Sequence, residues 1–354
     1  MAEFTSETLI PLRDPATVAA QLIDHLAEHG VIFERQGDAF VTSLRFGHGV
    51  MRVEEGGLRF RATAQELAGL ERIRAAIASH VLEFADDERP DIRWDGLPSG
   101  EMQADFRELR VLAVEDIALR MRRLTLSGQD LGRFASLDDL HVKLYVPPPG
   151  SARPAWPRLA ADGRLIWPDP PHRPAQRAYT IRSIDAQKGV IEIDFVLHTH
   201  GGPGARFAER AQPGDFCGIS GPGGGGMPTA RWMLLMGDET ALPAIARMLE
   251  AMPPHAAGIA IIEVDGPASE VPLTVPAGFA LRWLHRGGER NGPDSGLHAA
   301  LAEIAWPAHD DRFVWAACER AAADQIRKEL RVIGLERAQY RVAAYWHHGR
   351  AGRD

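Results

Sequence analysis

The spacing of apolar residues changes near residue 229, and this change limits the possible folds more than any other feature of the sequence. Residues 104–228 contain short runs of alternating apolar and polar residues separated by turns, which predicts a small antiparallel barrel. Residues 229–350 alternate strand-like apolar runs with helical stretches, which is typical of a parallel α/β sheet. We therefore expect two domains of different class, one after the other.

A third pattern occupies residues 1–100. Amphipathic helices are predicted over 16–29 and 65–85, because apolar residues recur there at helical spacing. Three strand-like runs lie between these helices, so the order αβββα indicates a small α+β domain. The chain then becomes polar, and we predict domains at 1–100, 104–228 and 229–350.

Length, charge and cysteine content exclude several classes of protein. A chain of 354 residues exceeds one ordinary core, and a formal net charge of −8 argues against nucleic acid as a partner. Two cysteines are too few for a disulfide framework or a zinc knuckle. The N-terminus lacks the pattern of a secretory leader, and no apolar run has the length of a membrane span. We expect a cytoplasmic protein.

Two motifs are misleading in their context. HLAEH at 25–29 fits the H-x-x-E-H pattern of some metallopeptidases, but no further ligand follows at a recognisable spacing, so we predict no metal site. GPGGGG at 221–226 satisfies G-x-G-x-x-G, but a strand-like run follows it where a dinucleotide site needs a helix. We interpret these glycines as a hinge between the barrel and the sheet.

The segments 177–182 and 191–198 carry a pattern that points to chemistry. Apolar and polar residues alternate in both segments, so each is predicted to be a strand with one buried and one polar face. The second is followed by GGPGARFAERA, a glycine turn that opens a helix whose first amide groups attract phosphate. An aromatic and a hydroxyl residue on one strand, an arginine nearby and this helix start together suit a flavin.

The same segments resemble those of a known family. RAYTIRS, DFVLH, GGPGARF, GDETALPAI and a closing AAYW occur here in the order typical of the siderophore-interacting proteins, which are FAD-containing ferric-siderophore reductases of the ferredoxin-reductase superfamily. The resemblance covers residues 104–350 and implies a barrel that binds FAD, followed by a ferredoxin-reductase-like nucleotide-binding domain. Residues 1–100 resemble a small DUF2218-like domain of unknown function.

The resemblance implies which residues hold FAD. They lie on the two strands, at the helix start and in GDET: Arg177, Tyr179, Thr180, Asp194, Val196, His198, Gly202, Gly204, Ala205, Arg206, Asp238 and Thr240. Ala205 and Phe207 stand where the family often has Ser and Trp. The missing hydroxyl removes one phosphate hydrogen bond, worth about 0.5–1.5 kcal/mol.

The electron donor is left open by the sequence. The resemblance implies a nicotinamide site at the carboxyl ends of the parallel strands, with Gly237, Glu239 and Cys318 as candidates. Glu263 and Asp265 close another strand, where an acid disfavours the 2′-phosphate of NADPH. NADH, NADPH and ferredoxin remain alternatives.

The expected substrate is a ferric siderophore, reduced by single electrons so that Fe(II) is released. No side-chain acid or base is expected to be catalytic, because the flavin carries the chemistry. Only three of the 40 cationic residues are lysines, so a site for an anionic iron chelate must use arginine. The candidates are Arg153, Arg173, Arg182 and Trp346. The alternatives are a general NAD(P)H-flavin or ferredoxin reductase and a non-catalytic siderophore-binding module.

Overall fold

The computed structural model describes residues 3–96, 100–151, 153–198, 201–287, 295–308 and 310–349. Internal contacts divide the chain into two compact units. Unit 1 contains Met1–Phe106 and Ala155–Arg173, and unit 2 contains Arg107–Pro154 and Pro174–Asp354. Among the described residues, no helix combines the length and the apolar character needed to cross a membrane.

Unit 1 is built on a five-stranded antiparallel sheet with two helices. The sheet has the order β1-β5-β4-β3-β2. Its strands are β1 (Phe4–Pro11), β2 (Glu34–Gln36), β3 (Ala39–Leu44), β4 (Gly47–Glu54) and β5 (Gly57–Ala64). The helices are α1 (Pro15–Glu28) and α2 (Leu67–Phe84). Both helices pack on the sheet through one core that includes Leu22, Met51, Phe60 and Leu70.

The two helices of this unit confirm their prediction, but the order αβββα omits two strands. β4 was missed because short turns join it to its neighbours, so the residues between 39 and 64 hold three strands. β1 was missed because polar residues interrupt its apolar alternation. Ser6 and Thr8 are buried on it and donate hydrogen bonds to the backbone oxygens of Asp95 (2.6 Å) and Arg93 (2.8 Å).

A proline-rich segment follows Val146 in the sequence, and its residues 155–173 belong to unit 1. It contains a short hairpin, β9 (Arg158–Leu159) and β10 (Leu165–Ile166). The Leu159 amide donates to the Glu101 oxygen at 2.8 Å, and the rings of Phe106 and Trp156 lie 5.3 Å apart. These contacts group 155–173 with residues far earlier in the chain, although the predicted barrel domain includes them. The predicted domain limits stay a prediction.

The first half of unit 2 is a closed antiparallel barrel with the strand order β11-β12-β7-β6-β13-β8. Its strands are β6 (Arg107–Ala118), β7 (Met121–Ser127), β8 (His141–Val146), β11 (Ala175–Asp185), β12 (Val190–Val196) and β13 (Phe216–Gly223). Helix α3 (Pro203–Arg210) packs against the barrel and adds Phe207 to its core. The predicted barrel is thus confirmed.

Strand β13 corrects the interpretation of the glycine run. Gly221 and Gly223 belong to this strand, which pairs with β6 and β8 and so closes the barrel. Beyond it, Gly226 is tightly packed, because an added β-carbon would lie 2.2 Å from the Leu137 oxygen. Close backbone approach therefore requires glycine at 226, and the expectation of a hinge over 221–226 is wrong for the positions that belong to β13.

The second half of unit 2 is a five-stranded parallel sheet with the order β16-β15-β14-β17-β18. Its strands are β14 (Trp232–Asp238), β15 (Ala257–Val264), β16 (Gly278–His285), β17 (Arg312–Glu319) and β18 (Tyr340–Trp346). Its helices are α4 (Leu242–Ala251), α5 (Leu297–Ala300) and α6 (Arg320–Val332). Two cores, one containing α4 and one containing α6, cover the sheet, so the predicted α/β class is confirmed.

Candidate active site

Strand β11 carries three of the predicted flavin residues at one edge of the barrel. It pairs with β8, so that Tyr179 lies opposite Val142 and Thr180 opposite His141. The Tyr179 ring is half-buried and lies 4.6 Å from the Phe195 ring, centroid to centroid. Burial raises the pKa of the Tyr179 phenol, which therefore stays protonated as a hydrogen-bond donor.

The start of α3 lies directly against Tyr179. A β-carbon at Gly204 would lie 2.2 Å from the Tyr179 Oη, so only glycine allows this approach. Gly202 is the N-cap residue and gives the helix no side-chain cap, and a β-carbon at Gly202 would meet nothing within 4 Å. Open space at Gly202 therefore borders a helix start that lies against an aromatic side chain, and a helix start without a side-chain cap is suited to bind a phosphate group.

The other residues predicted around this helix start have different environments. Arg206 is exposed, and its guanidinium donates to the Gly201 oxygen at 2.7 Å. Ala205 is buried. Arg177 is half-buried and donates to the Gln176 oxygen at 2.7 Å. Both arginines therefore place positive charge beside the strand and the helix start.

The Asp194 carboxylate is held by an arginine that sequence reasoning missed. Arg123 on β7 contacts both of its oxygens, at 2.7 and 2.9 Å, and the Asp194 side chain is fully buried. The two strands pair directly, with Asp194 opposite Arg123. Asp194 therefore stabilises the barrel wall near the predicted site through a bidentate ion pair.

Thr180 on the barrel contacts Tyr345 on strand β18. Its side chain hydrogen-bonds the Tyr345 hydroxyl, which also contacts His141 Nε2. Burial lowers the pKa of His141 and raises that of Tyr345, so both side chains are neutral at pH 7. The closing AAYW segment was the sequence signal for Tyr345, whereas His141 had none. This cluster joins β8 and β11 of the barrel to β18 of the parallel sheet.

A small cleft lies in unit 2 between the barrel and the parallel sheet. Its lining combines residues of the β6–β7 turn, of β12 and of the sheet edge: Leu119, Arg120, Met121, Val196, Glu239, Asp265 and Ser269. Val196 and Glu239 are predicted site residues, Asp265 was named as an acid that disfavours a 2′-phosphate, and the other four were missed. Two residues form the turn, and Arg120 adopts a left-handed conformation there with φ of 60°. The Leu119 amide donates to the Ala268 oxygen at 2.9 Å, which fixes this turn against the sheet domain.

A buried arginine organises the acidic residues at the sheet side of the cleft. Arg286 contacts both oxygens of Glu239, at 2.6 and 2.9 Å, and Asp265 at 2.8 Å. Its guanidinium also lies 3.5 Å from Glu263. Burial alone would lower the pKa of Arg286, but the ion pairs with Glu239 and Asp265 raise it above its ordinary value. Three carboxylates share this buried cation.

Asp238 joins the carboxyl ends of three parallel strands. Its oxygens accept hydrogen bonds from the Thr240 amide at 2.9 Å, the Glu319 amide at 3.1 Å and the Trp346 Nε1 at 2.8 Å. Burial and the neighbouring Glu239 raise the pKa of Asp238 to about 6. Gly237 is needed for packing, since a β-carbon there would lie 2.3 Å from the Ala317 oxygen. Asp238 therefore binds other protein groups, and Gly237 is required by the packing of β14 against β17.

The remaining predicted residues are dispersed. Cys318 is buried in the sheet core, where burial raises its thiol pKa and keeps it from ionising.

Arg182 donates to both oxygens of Glu250 on α4, at 2.9 and 2.6 Å. Arg173 of unit 1 lies 4.7 Å above the Trp167 ring, and Arg153 is exposed. His198 is also exposed, in the loop before α3. Of the substrate candidates, Trp346 contacts a predicted cofactor residue.

Comparison with known proteins assigns most of the chain. Residues 110–226 match the model of the siderophore-interacting FAD-binding domain, and residues 230–349 match that of the siderophore-interacting protein. Residues 7–95 match a family described as uncharacterized protein conserved in bacteria. The two halves of unit 2 thus correspond to two family models.

Curated relatives and solved structures agree with these matches. The ferric vibriobactin reductase ViuB of Vibrio cholerae is 32% identical over 239 residues, which cover 66% of this chain and 86% of that protein. An NADPH-dependent ferric-chelate reductase of Escherichia coli is 33% identical over 251 residues, covering 68% and 93%. A siderophore utilization protein from T. fusca superposes with a TM-score of 0.64 at 37% identity, covering 73% of this chain and 98% of that one. The chain therefore belongs to the siderophore-interacting protein family.

Proposed function

We propose that this chain is an FAD-dependent ferric-siderophore reductase. The observation that carries the proposal is the junction between Tyr179 and the start of α3, where Gly204 lets an uncapped helix start lie against an aromatic side chain. This junction lies within the residues matched by the FAD-binding model. The reductase activity named for the Vibrio cholerae and Escherichia coli relatives supports the same assignment.

The residues at this junction fit FAD. The open space at Gly202 and the first-turn amides of α3 would receive the pyrophosphate, with Arg206 and Arg177 adding positive charge. Tyr179 would flank the ring system with its half-buried phenol. When bound, FAD supplies the capacity to take up two electrons together and to deliver them one at a time.

The acidic side chains at the carboxyl ends of the parallel strands hold other protein groups in place. Asp238 accepts hydrogen bonds from three strand ends, and Glu239 pairs with Arg286, so both carboxylates are held by protein donors. Ferric iron in a siderophore needs only an electron, and Fe(II) binds hard oxygen ligands less tightly than Fe(III). We therefore expect no essential side-chain acid or base in the reaction.

We propose a reduced nicotinamide dinucleotide as the electron donor, bound at the carboxyl ends of the parallel strands. Glu239, Glu263 and Asp265 outnumber the cations beside them, Arg286 and Arg120, so this edge keeps a negative surplus. Such a surplus disfavours a 2′-phosphate. We expect NADH to be preferred, in contrast to the Escherichia coli relative, which is named NADPH-dependent. A role for ferredoxin and the cytoplasmic location stay predictions.

The first test is the visible spectrum of the purified protein, followed by assay of FAD in the supernatant after denaturation. We expect one FAD per chain, bleaching under anaerobic conditions by NADH faster than by NADPH, and Fe(II) release from a ferric siderophore. A colourless protein that takes up no added FAD would contradict the reductase and favour a siderophore-binding module. Turnover of free FMN or quinones at a rate comparable to that of ferric siderophores would favour a general flavin reductase.

A matched pair of variants on α3 tests the site itself. Arg206→Ala removes a charge at the helix start, and we expect it to weaken FAD binding by roughly 10- to 150-fold, since a charge-assisted bond to phosphate contributes roughly 1.5–3 kcal/mol. Arg210→Ala removes the same charge at the other end of the helix, where Arg210 contacts the Pro147 oxygen at 3.4 Å. Equal losses in both variants would contradict this placement of the phosphates.

A further inference from the structure

The helix pair of unit 1 brings together metal-ligating side chains that lie far apart in the sequence. His25 lies on α1, and His80 and Glu83 lie near the end of α2. One ligand atom from each of the three residues lies within 4.8 Å of the other two. The two helices pack against each other, so this proximity follows from the fold of the unit. The HLAEH pattern alone lacked a further ligand, and α2 supplies two.

A third imidazole borders the same cluster. His29 follows His25 by one helical turn, and their ring centroids lie 4.8 Å apart. The rings of His25 and His80 are separated by 5.2 Å, and the Phe84 ring lies 5.3 Å from His25. Phe84 gives the cluster an apolar back wall, which shields the imidazoles on one side.

The hydrogen bond that His80 makes through Nδ1 leaves its Nε2 able to bind a metal ion. Its Nδ1 lies 2.7 Å from the backbone oxygen of Ala76, and because a carbonyl oxygen only accepts, Nδ1 carries the proton. The neutral ring then has its lone pair on Nε2. A histidine that binds a metal through one nitrogen almost always donates its other N–H to a carbonyl or carboxylate, as this one does.

The exposure of the cluster suits reversible binding. His25 and His80 are half-buried, and Glu83 is exposed. The imidazoles are therefore held by packing, while the carboxylate can move on the surface to complete a coordination sphere. Two imidazoles with one carboxylate form a ligand set typical of Zn²⁺ and of non-haem Fe²⁺.

We propose that His25, His80 and Glu83 bind one divalent transition-metal ion on the N-terminal unit. The site is separate from the proposed flavin site, uses none of its residues and does not depend on the reductase activity. The plain alternative is an aromatic cluster in which the three imidazoles and Phe84 only pack together. The two interpretations differ in one measurable property, which is stoichiometric metal binding that requires Glu83.

The test uses the full-length protein without a polyhistidine tag, freed of metal by a chelator and gel filtration. Zn²⁺ is titrated in air and Fe²⁺ under anaerobic conditions, each followed by calorimetry and by metal analysis after desalting. We expect one Zn²⁺ per chain, with weaker binding of Fe²⁺ as the general affinity order predicts. If neither ion binds at one per chain, the proposal is overturned.

Variants assign the binding to these residues. His25→Gln, His80→Gln and Glu83→Gln are each expected to weaken Zn²⁺ binding by more than about 10–100-fold, the cost of losing a residue that only hydrogen-bonds a metal ligand. His48→Gln, an exposed histidine on β4 of the same unit, is the matched control and should bind as the wild type does. His347→Gln with His348→Gln controls for the adjacent pair near the C-terminus.

Glu83→Gln keeps the proposal falsifiable if the histidine variants fold poorly. Glu83 is exposed, so its replacement should leave the thermal unfolding of the metal-free protein unchanged. Loss of Zn²⁺ binding in this variant, with FAD content at the wild-type level, supports the site. Unchanged Zn²⁺ binding in Glu83→Gln, or equal loss in His48→Gln, overturns it.

Discussion

The barrel edge and the sheet edge of unit 2 both carry predicted site residues, but they use their polar groups differently. At the barrel edge, the start of α3 is uncapped, Gly202 borders open space and Arg206 is exposed. At the sheet edge, Asp238 and Glu239 are held by protein donors and cations. Polar groups at the first edge are open to a ligand, whereas Asp238 and Glu239 at the second edge are already bound to protein groups.

The comparison teaches that a sequence motif can mark either role. GDET was predicted from the family resemblance as part of the cofactor site. In the structure its aspartate joins β14, β17 and β18 through hydrogen bonds to Thr240, Glu319 and Trp346. Such a residue positions the site and need not touch the ligand.

The largest expected effect comes from Asp238→Ala. This change leaves the Trp346 Nε1 and the Glu319 amide without their acceptor, and each buried group left unsatisfied costs roughly 1–3 kcal/mol. We expect the free energy of unfolding of the FAD-free protein to fall by about 3 kcal/mol, measured by urea denaturation. Asp185→Ala, at an exposed pair with Lys188, is the control. Unchanged stability with lost donor binding would show that Asp238 contacts the donor itself and does not hold the strand ends together.

The next effect concerns Gly204→Ala at the barrel edge. The added β-carbon would lie 2.2 Å from the Tyr179 Oη, so the phenol or the helix start must shift. We expect overpacking to cost about 1–3 kcal/mol of stability and FAD affinity to fall, because the amides move away from Tyr179. Gly202→Ala, with no neighbour within 4 Å of the new atom, should leave the stability of the FAD-free protein unchanged. Equal destabilisation by both changes would contradict the described contact.

A smaller effect is the dependence of stability on pH. The pKa of Asp238 is raised to about 6 in the folded protein, above its unfolded value, so the folded state binds the extra proton. This contribution is therefore fully present at low pH and is lost as the pH rises through about 6. We expect the wild type to lose on the order of 1 kcal/mol relative to Asp238→Asn between pH 4 and about 7, measured by urea denaturation at each pH. If the stability of the wild type and of Asp238→Asn changes with pH in the same way, the pKa of Asp238 is not raised in the folded protein.

The sequence predicted what depends on local patterns. The alternation in β11 and β12 and the succession of strands and helices after residue 229 were visible because each strand and helix carries its own apolar period. Strand β13 was missed because Gly221, Pro222 and Gly223 at its end resemble a loop in the sequence. The barrel class was thus readable from the sequence, although one of its strands was not.

Contacts between distant residues could not be predicted, since they leave no trace in spacing. Arg286 meets Glu239, Arg123 meets Asp194, and His80 meets His25 only through the tertiary fold. For this reason the sequence predicts which segments form the candidate site but not which charges surround them. The same gap concealed the proposed metal site, because its ligands come from two helices that are separated by the sheet strands β2 to β5 in the sequence.

The smallest effect concerns Arg182, which the sequence proposed as a substrate residue. Its guanidinium now has a carboxylate partner, Glu250, and a partly exposed ion pair of this kind contributes about 0–1 kcal/mol. If Arg182 attracts the anionic iron chelate, Arg182→Ala raises the apparent KM for a ferric siderophore by about two- to fivefold, in keeping with that energy, while FAD stays bound.

Glu250→Gln is the matched control for this last prediction, because it removes the competing carboxylate and leaves the guanidinium in place. We expect it to lower the same KM, so the two variants should move it in opposite directions. If both instead reduce stability slightly and leave KM unchanged, Arg182 serves only to fasten β11 to α4. The barrel edge would then bind the flavin, and the iron chelate would have to be held by other arginines, with Arg120 in the cleft the first to test.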